Sequence, residues 1–248
     1  MRTFVGVVLA CSIGQAHAAD AEDLRRVLAG QDCVKCDLRE ADLQGKNLAG
    51  RNLAGAFLER ANLSTANLRG ANLAGAKLVK AQLSGANAEG ASFVIGNLES
   101  ADFTGARLKG ADFTSARLPE VNFSEVNAAG ASFERSKLRG AIFLNAKLTG
   151  TSFRSAKAPA VRFENADLSS ASLVSANLGG AHFGNANLTS ADLTRTNLWK
   201  AHLSTARLRQ TRLDEASLRI AKLPASLEGA SLCKATLPDG SRSTQGCN

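Results

Sequence analysis

The sequence predicts an all-β solenoid built from many short and nearly identical sides. Three observations support this fold class: a five-residue period along most of the 248-residue chain, inward-type residues alternating within each repeat, and phenylalanines recurring every ten residues. A period of five fits neither an amphipathic helix, with its period of about 3.6, nor a strand that simply alternates. The chain is therefore expected to repeat one small structural unit.

The repeat begins at Cys36 and keeps its frame through the repeat that opens at Ala221, giving 38 consecutive pentapeptides. The first position is Ala in 27 of them, and the third is Leu or Phe in all but three. A polar second position separates the two, so each repeat is predicted to contain a three-residue strand with two inward side chains. At three third positions, all beside phenylalanines, the residue is Ala: Ala88, Ala128 and Ala158. We interpret these small residues as compensation for the volume of the neighbouring Phe side chains, with a ligand cavity as the alternative.

The fourth and fifth positions of each repeat are predicted to form a corner. All four prolines occupy a fourth position, and 13 of the 38 fifth positions are Gly. Proline followed by a residue that tolerates positive φ is typical of a type II turn. Each pentapeptide is therefore expected to supply one side and one corner.

Phenylalanine occupies alternate third positions through the middle of the chain. A spacing of ten residues places these side chains on alternate sides, which requires an even number of sides per coil. The predicted core consists of the third-position side chains, here represented by Leu73, Phe93, Phe103, Phe113, Phe123, Phe133, Phe143, Phe153 and Phe163.

The motif A-[ND]-L-x-x, found for example at Ala61-Asn62-Leu63, resembles that of the pentapeptide repeat family over residues 36–239. The resemblance implies a right-handed quadrilateral β-helix with four pentapeptides per coil. The Phe residues would then stack on two opposite walls and the Leu residues on the other two. The segments "CVKCDL" near the N-terminus and "SLCKATLPDGS" near the C-terminus also resemble the usual ends of family members.

The first residues are typical of an export signal. Arg2 precedes a short apolar run over residues 3–14, and the sequence Ala-His-Ala at 16–18 predicts cleavage between Ala18 and Ala19. Lipidation at Cys11 is the alternative. The mature protein is expected to be periplasmic or secreted.

Four segments are predicted: a signal peptide at 1–18, an N-terminal cap with a short helix at 19–35, the β-helix at 36–239 and a C-terminal tail at 240–248. The helix is expected to start at Asp20, to stop at Gly30 and to present one apolar face. That face would hold Leu24, Val27 and Leu28. The repeat frame slips by one residue after Leu223, and three further repeats are expected around Leu227, Leu232 and Leu237.

Cleavage of the signal would leave four cysteines, an even number that suits an oxidising compartment. Cys233 is predicted to pair with Cys247 in a terminal loop. Cys33 and Cys36 form either a structural disulfide or a redox pair. The structural interpretation is favoured because the pair enters a β-coil, whereas reactive C-x-x-C thiols lie at exposed helix N-termini. One zinc site shared by all four cysteines is excluded because the two pairs belong to opposite ends of the rod.

The formal net charge of +8 allows an anionic partner, although a solvated charged surface is the simpler interpretation. The two predicted Leu walls carry the excess of cations. One holds Lys77, Arg117, Lys137, Arg139, Lys157, Lys200 and other basic residues against five acids. The basic surface of the other includes Arg69, Arg107, Lys109, Lys147, Arg207 and Arg209.

No catalytic constellation, cofactor motif or metal site is identified in the sequence. His182 and His202 would stack, but Arg162 and Lys222 beside them disfavour a cation. The best-known family members bind DNA gyrase through an acidic, DNA-like surface in the cytoplasm. This basic, export-type chain is not expected to do so. The leading hypothesis is a non-catalytic scaffold that binds a macromolecule, most simply a protein, through flat faces. The alternatives are a binder of anionic polymers or membranes and, third, a thiol–disulfide oxidoreductase.

Overall fold

The structure of the protein, a computed structural model, describes residues 18–247. Parallel β-bridges join each second-position residue to the residue twenty positions later, from Asp37↔Phe57 to His202↔Lys222. Twenty residues are four pentapeptides, so each coil has four sides. Of the predicted signal peptide, residues 1–18, only Ala18 falls within this range. Residues 1–17, including Cys11, are outside the described residues.

Four straight ladders of second-position residues define four walls. Wall A runs from Asp37 to Thr236, wall B from Asp42 to Lys222, wall C from Asn47 to Arg207 and wall D from Asn52 to Ser231. Each rung of a ladder is a single-residue bridge. The described residues contain one helix, α1, at Ala21–Leu28.

Backbone hydrogen bonds join consecutive coils in the same way along the rod. In one repeat, the Leu73 N–H donates to the Ser92 carbonyl at 2.7 Å, and the Gly75 N–H donates to the Val94 carbonyl at 2.8 Å. The Ala76 N–H donates back to the Leu73 carbonyl at 3.0 Å and closes the corner. The stability of one coil therefore depends on its neighbours, as in other solenoids.

The corners follow the predicted turn chemistry. From Glu40 to Ile220, every fifth-position residue except Thr205 has a positive φ, as the third residue of a type II turn requires. The fourth-position N–H is often satisfied by the second-position side chain, as where the Ala74 N–H donates to Asn72 Oδ1 at 3.1 Å. This contact gives a physical reason for the many Asn and Asp residues at the second position.

The core is filled by the first- and third-position side chains. Leu73 and all eight predicted Phe residues are 0% exposed. Phe93, Phe113, Phe133 and Phe153 stack on wall D with ring centroids 4.7–5.0 Å apart, and the series from Phe103 to Phe183 stacks on wall B at 4.8–5.3 Å. The two stacks meet edge-to-face across the interior, with successive centroids 5.4–5.8 Å apart. Both geometries are favourable for aromatic pairs.

The helix α1 covers the first coil. The Asp20 side chain accepts from the N–H groups of residues 22 and 23, and Gly30, with φ of 71°, follows the last turn. Val27 is buried, but Leu28 is 49% exposed, so the prediction that it shares the buried face is wrong. Leu28 follows Val27 by one residue and so lies about 100° further around the helix, off the side that faces the coil. Arg51, a large residue at a first position, donates to the Gly30 carbonyl at 2.6 Å and joins the cap to the coils.

The ladders of the four walls respond differently to the frame slip. Walls A and D continue past it with a spacing of nineteen residues, through Ser217↔Thr236 and Arg212↔Ser231. Wall C ends at Arg207. Residues 225–229 keep the corner of a repeat, since the Ala230 N–H donates to the Leu227 carbonyl at 3.0 Å and Gly229 has φ of 68°. They form no β-bridge with Arg207, because the missing residue shifts this side out of register with wall C.

The C-terminal segment folds back onto the last coil. Residue Thr236 forms an antiparallel bridge with Arg242, and the Leu232 N–H donates to the Gln245 carbonyl at 3.1 Å. This segment covers the last rungs of walls A and D, which would otherwise be exposed strand edges.

Candidate interaction surfaces

Wall A carries an uninterrupted ladder of cations. Arg117, Lys137 and Lys157 occupy second positions in three consecutive coils and are all exposed. Rungs in a β-ladder lie about 4.8 Å apart, so three positive charges are held closer together than the screening length at physiological salt. Such an arrangement costs electrostatic free energy that an anionic partner would recover.

Two prolines shape the surface beside this ladder. Pro119 and Pro159 occupy fourth positions two coils apart, with Arg139 between them. Together with the ladder residues they line a shallow cleft of about 270 Å³. The cleft therefore combines an apolar floor with four cationic side chains.

Carboxylates neutralise part of the basic surface that the sequence predicts. On wall A, Arg117 pairs with Glu99, and Arg139 lies 3.5 Å from Glu120. Lys137 and Lys157 have no ion pair within residues 18–247. These exposed pairs contribute little stability, but they lower the net charge that a partner would meet.

The basic residues of wall C are more scattered. Arg107 pairs with Glu89 at 2.7 Å, and Lys147 is the ladder neighbour of Asp167. Arg69 and Lys109 lie on the same wall and have no ion-pair partner in the part of the chain that the structure describes. Two further residues of this predicted surface, Arg207 and Arg209, belong to the last coil of wall C, beside the frame slip, and line a separate cleft.

Aromatic residues on wall A hold two of its lysines. Lys77 Nζ lies 4.6 Å from the centroid of the Phe57 ring, and Lys200 Nζ lies 4.2 Å from that of Trp199. Trp199 is 45% exposed. Cation–π contacts of this kind fix the position of a flexible lysine on the surface, and the sequence pattern did not reveal them.

The cysteines form two disulfides. Cys33 and Cys36 lie at 0% and 2% exposure with Cα atoms 5.3 Å apart, and Cys233 and Cys247 have Cα atoms 4.8 Å apart. Both sulfurs of the first pair are shielded from solvent. This burial argues against thiol exchange at Cys33–Cys36, since an attacking thiolate needs access to a sulfur.

One group among the described residues could offer three metal ligands, namely Asp23, Cys33 and Cys36, with ligand atoms within 4.8 Å of one another. The disulfide occupies both sulfurs, so this group lacks the thiolates that a metal would require. The Asp23 carboxylate instead accepts a hydrogen bond from the Asp37 N–H at 2.9 Å and ties α1 to the first coil.

The two histidines of wall B stack as predicted, with ring centroids 4.7 Å apart. The pKa of His202 is lowered by partial burial, by the neighbouring His182 and by Lys222. Because Arg162 and Lys222 continue the ladder on either side, the local field disfavours an added cation.

Within residues 18–247, no helix combines the length and the apolar character needed to cross a lipid bilayer.

Comparison with solved structures supports the same architecture. HetL, a pentapeptide repeat protein involved in heterocyst differentiation regulation from the cyanobacterium Nostoc sp. strain PCC 7120, is 30% identical to this chain. The match covers 92% of this chain and all of HetL, with a TM-score of 0.83. Two others align less well: full-length QnrB1, a plasmid-mediated fluoroquinolone resistance protein, and Rfr23 from the cyanobacterium Cyanothece 51142.

QnrB1 is 18% identical, with a TM-score of 0.32 over 73% of this chain and 91% of its own. Rfr23 is 24% identical, with a TM-score of 0.34 over 55% of this chain and 90% of its own. These scores are too low to carry a functional argument. No curated protein sequence matches the chain.

Family comparison covers most of the repeat region. The family described as pentapeptide repeats (8 copies) matches residues 32–70, 66–105 and 186–223, and the one described as pentapeptide repeat region matches residues 96–173. Together with the four-sided coils and the likeness to HetL, these matches confirm the resemblance and the right-handed quadrilateral β-helix that it implied. The chain belongs to the pentapeptide repeat family.

Proposed function

We propose that this protein is an exported, non-catalytic scaffold that binds a macromolecular partner, most simply a protein, through the flat faces of its solenoid. The observation that carries the proposal is the ladder arrangement of outward side chains. Second-position residues of each wall repeat once per coil, about 4.8 Å apart, on a rigid backbone. A surface with fixed side-chain spacing is pre-organised, which reduces the entropic cost of binding.

Export is supported by the signal-type N-terminal sequence and by the even number of cysteines that cleavage would leave. The two disulfides are consistent with an oxidising compartment. Expression in a bacterial host followed by N-terminal sequencing of the periplasmic fraction should identify Ala19 as the first residue. An intact Met1 in the cytoplasmic fraction would overturn this proposal, and a lipid-modified Cys11 would identify the alternative.

The scaffold role is tested by site-directed photo-crosslinking in periplasmic extract. A photoreactive residue would replace one exposed side chain on each wall, for example Asn177 on wall A and Asn127 on wall C. We expect one wall to give a discrete crosslinked species that an excess of unlabelled protein suppresses. Equal and non-competable crosslinking from all four walls would contradict a specific scaffold.

A second candidate function is supported by the cation ladder of wall A. The surface formed by Arg117, Lys137 and Lys157 suits an anionic polymer or an anionic membrane, because closely spaced positive charges attract multivalent anions. Co-sedimentation with phosphatidylglycerol vesicles and retention on heparin would be measured at increasing salt.

The variant Lys137→Glu/Lys157→Glu should lose this salt-sensitive binding. The matched control Lys109→Glu/Lys147→Glu, which makes the same charge change on wall C, should keep it. Equal loss in both variants would indicate a response to net charge alone and would remove wall A as a specific site.

A further inference from the structure

A second cleft opens where the frame slip separates the end of wall C from the chain that follows. Its volume is about 470 Å³. The last coil of wall C forms one bank, with Ala206, Arg207, Leu208 and Arg209. The segment after the slip, including Pro224 and Ser226, forms the other. The cleft reaches the core, because Ala206 and Leu208 are 6% and 3% exposed whereas the corresponding residues of the previous coil, Ala186 and Leu188, are 0% exposed.

The bank on wall C is an unpaired strand edge. In the coil before it, the Leu188 N–H donates to the Arg207 carbonyl at 2.9 Å, and the Ala186 carbonyl accepts from the Arg207 N–H at 2.9 Å. The equivalent groups one coil later are the Leu208 N–H and the Ala206 carbonyl. Neither has a backbone partner in residues 18–247. They have the spacing of a β-rung and face the open cleft.

The corner that leads into this edge is also different from the others. Thr205 lacks the positive φ of every other fifth position from Glu40 to Ile220. In a regular coil the fifth-position N–H donates to a fourth-position carbonyl of the next coil, as from Gly75 to Val94. Here the Asn185 N–H donates instead to the Thr205 hydroxyl at 2.9 Å. The described C-terminal tail covers walls A and D and leaves this edge open.

The charge of the cleft indicates what could occupy the edge. Arg207 and Arg209 flank Leu208, are both exposed and have no ion-pair partner in the described part of the chain. The single carboxylate among the lining residues is that of Glu228. The backbone carbonyl of the same residue accepts the Gln210 N–H at 3.4 Å. The net charge of the lining residues is therefore positive, and an acidic occupant is favoured over a basic one.

We propose that the open edge of wall C at Ala206–Leu208 binds an extended acidic peptide segment of a partner protein by adding it as a β-strand. Main-chain hydrogen bonds from the peptide would satisfy the Leu208 N–H and the Ala206 carbonyl, while Arg207 and Arg209 would pair with its carboxylates. The site deepens the proposed scaffold role by naming one surface and the chemistry of its partner.

The binding test uses the full chain and a fluorescein-labelled heptapeptide of alternating glutamate and valine. Fluorescence anisotropy at low salt should show saturable binding that weakens as salt rises. Two control peptides separate the contributions: one N-methylated at its central backbone amides, and one with lysine in place of glutamate. Both should bind at least about tenfold more weakly, because each loses either the strand hydrogen bonds or the charge pairing.

Two protein variants assign the binding to the cleft. Arg207→Glu/Arg209→Glu should weaken binding of the acidic peptide by about tenfold or more, whereas the matched control Arg69→Glu/Lys109→Glu should change it by less than about twofold. Insertion of one glycine between Pro224 and Ala225 restores the five-residue frame, closes the edge with the chain's own strand and keeps both arginines. It should abolish binding even if the charge-reversed variant fails to fold.

Amide hydrogen exchange gives a readout at the edge itself. The Leu208 amide should gain protection when the acidic peptide is added, and the Leu188 amide should not change. The proposal is overturned if the N-methylated peptide binds equally well, if the glycine insertion leaves binding intact, or if the free protein dimerises through this edge in light scattering. Such a result would leave the crosslinking test of the scaffold role unaffected, because that test probes the flat walls.

Discussion

The regular coils and the frame-slip end are built from the same five-residue unit but differ in how its backbone is satisfied. In the regular coils, each third-position N–H reaches the next coil, as from Leu73 to Ser92, and the third-position side chain is fully buried. At the slip, the Leu208 N–H has no backbone partner among the described residues, and Leu223 and Leu227 are only partly buried. One missing residue accounts for the difference.

This contrast shows that a repeat joins the coil when its strand is in register with the strand of the previous coil, and that its amino-acid composition matters less. The segment after the slip still contains Ala, Leu and Pro in the usual order. Its sides recover their pairing on walls D and A at a spacing of nineteen residues, but wall C does not recover. Hydrophobic content is therefore not sufficient, because the ladder needs each side to arrive at the height of the rung below it.

The largest expected difference between the two regions concerns leucine truncation. Leu73→Ala should lower the free energy of unfolding by about 2–5 kcal/mol, since it leaves a cavity in a fully buried position. Leu227→Ala should cost less than about half as much, because that side chain is only partly buried. Chemical denaturation of both variants measures the difference. Ala74→Lys, at an outward position, is the control and should change stability by less than about 0.5 kcal/mol.

The C-terminal disulfide should matter mainly at the slip end. Cys233 and Cys247 are separated by 14 residues, and the chain-entropy estimate for closing such a loop is about 3 kcal/mol. Cys233→Ser/Cys247→Ser should release the segment that pairs with walls A and D. Limited proteolysis should then cut first within residues 241–247, and thermal unfolding should move to lower temperature. Unchanged proteolysis would show that the backbone bridges alone hold this segment.

Overpacking provides a test of the regular coils. Ala158→Leu should destabilise by roughly 1–3 kcal/mol, because Ala158 is 0% exposed on a wall that lies between two Phe stacks. Ala71→Leu should be damaging for the same reason. Ala225→Leu, at an exposed position of the slip, is the matched control and should be nearly neutral. A stable Ala158→Leu variant would reveal a cavity at this site and revive the ligand-cavity interpretation.

The corners allow a test in which a substitution is expected to stabilise the protein, by a smaller amount. Ile95 has φ of 53° and is 66% exposed, so a β-branched residue is held in the left-handed region with little burial in return. Ile95→Asn should stabilise the protein by roughly 0.5–1 kcal/mol, since Asn tolerates this conformation better. Thr205→Asn should bring no gain, because Thr205 lacks a positive φ. Melting temperatures of the two variants would be compared.

The smallest expected effect is a pH dependence at wall B. Burial, His182 and Lys222 lower the pKa of His202 in the folded protein below its unfolded value of about 6.5. The unfolded state therefore binds more protons below that pH, and stability should fall as pH decreases from about 7 to 5. His202→Asn should flatten this part of the stability profile. An unchanged profile would assign the dependence to other groups.

The sequence by itself determined the repeating unit and its inward and outward positions. A strict five-residue period allows one side and one corner per repeat, and the ten-residue Phe spacing requires an even number of sides. These are local and periodic constraints, so residues such as Leu73 and Phe93 could be placed in the core without a structure. The family resemblance supplied the number of sides and the hand of the coil.

The tertiary structure decided which surfaces remain available. The partners of Arg107 and Arg117 depend on carboxylates eighteen residues away along the chain, which the coil brings close in space. The position of the slip was visible in the sequence. The sequence did not reveal that wall C would lose its β-bridge partner while walls A and D recovered theirs. That outcome depends on how the segment after Leu223 and the C-terminal tail pack in three dimensions, because an edge is open only where no other part of the chain covers it.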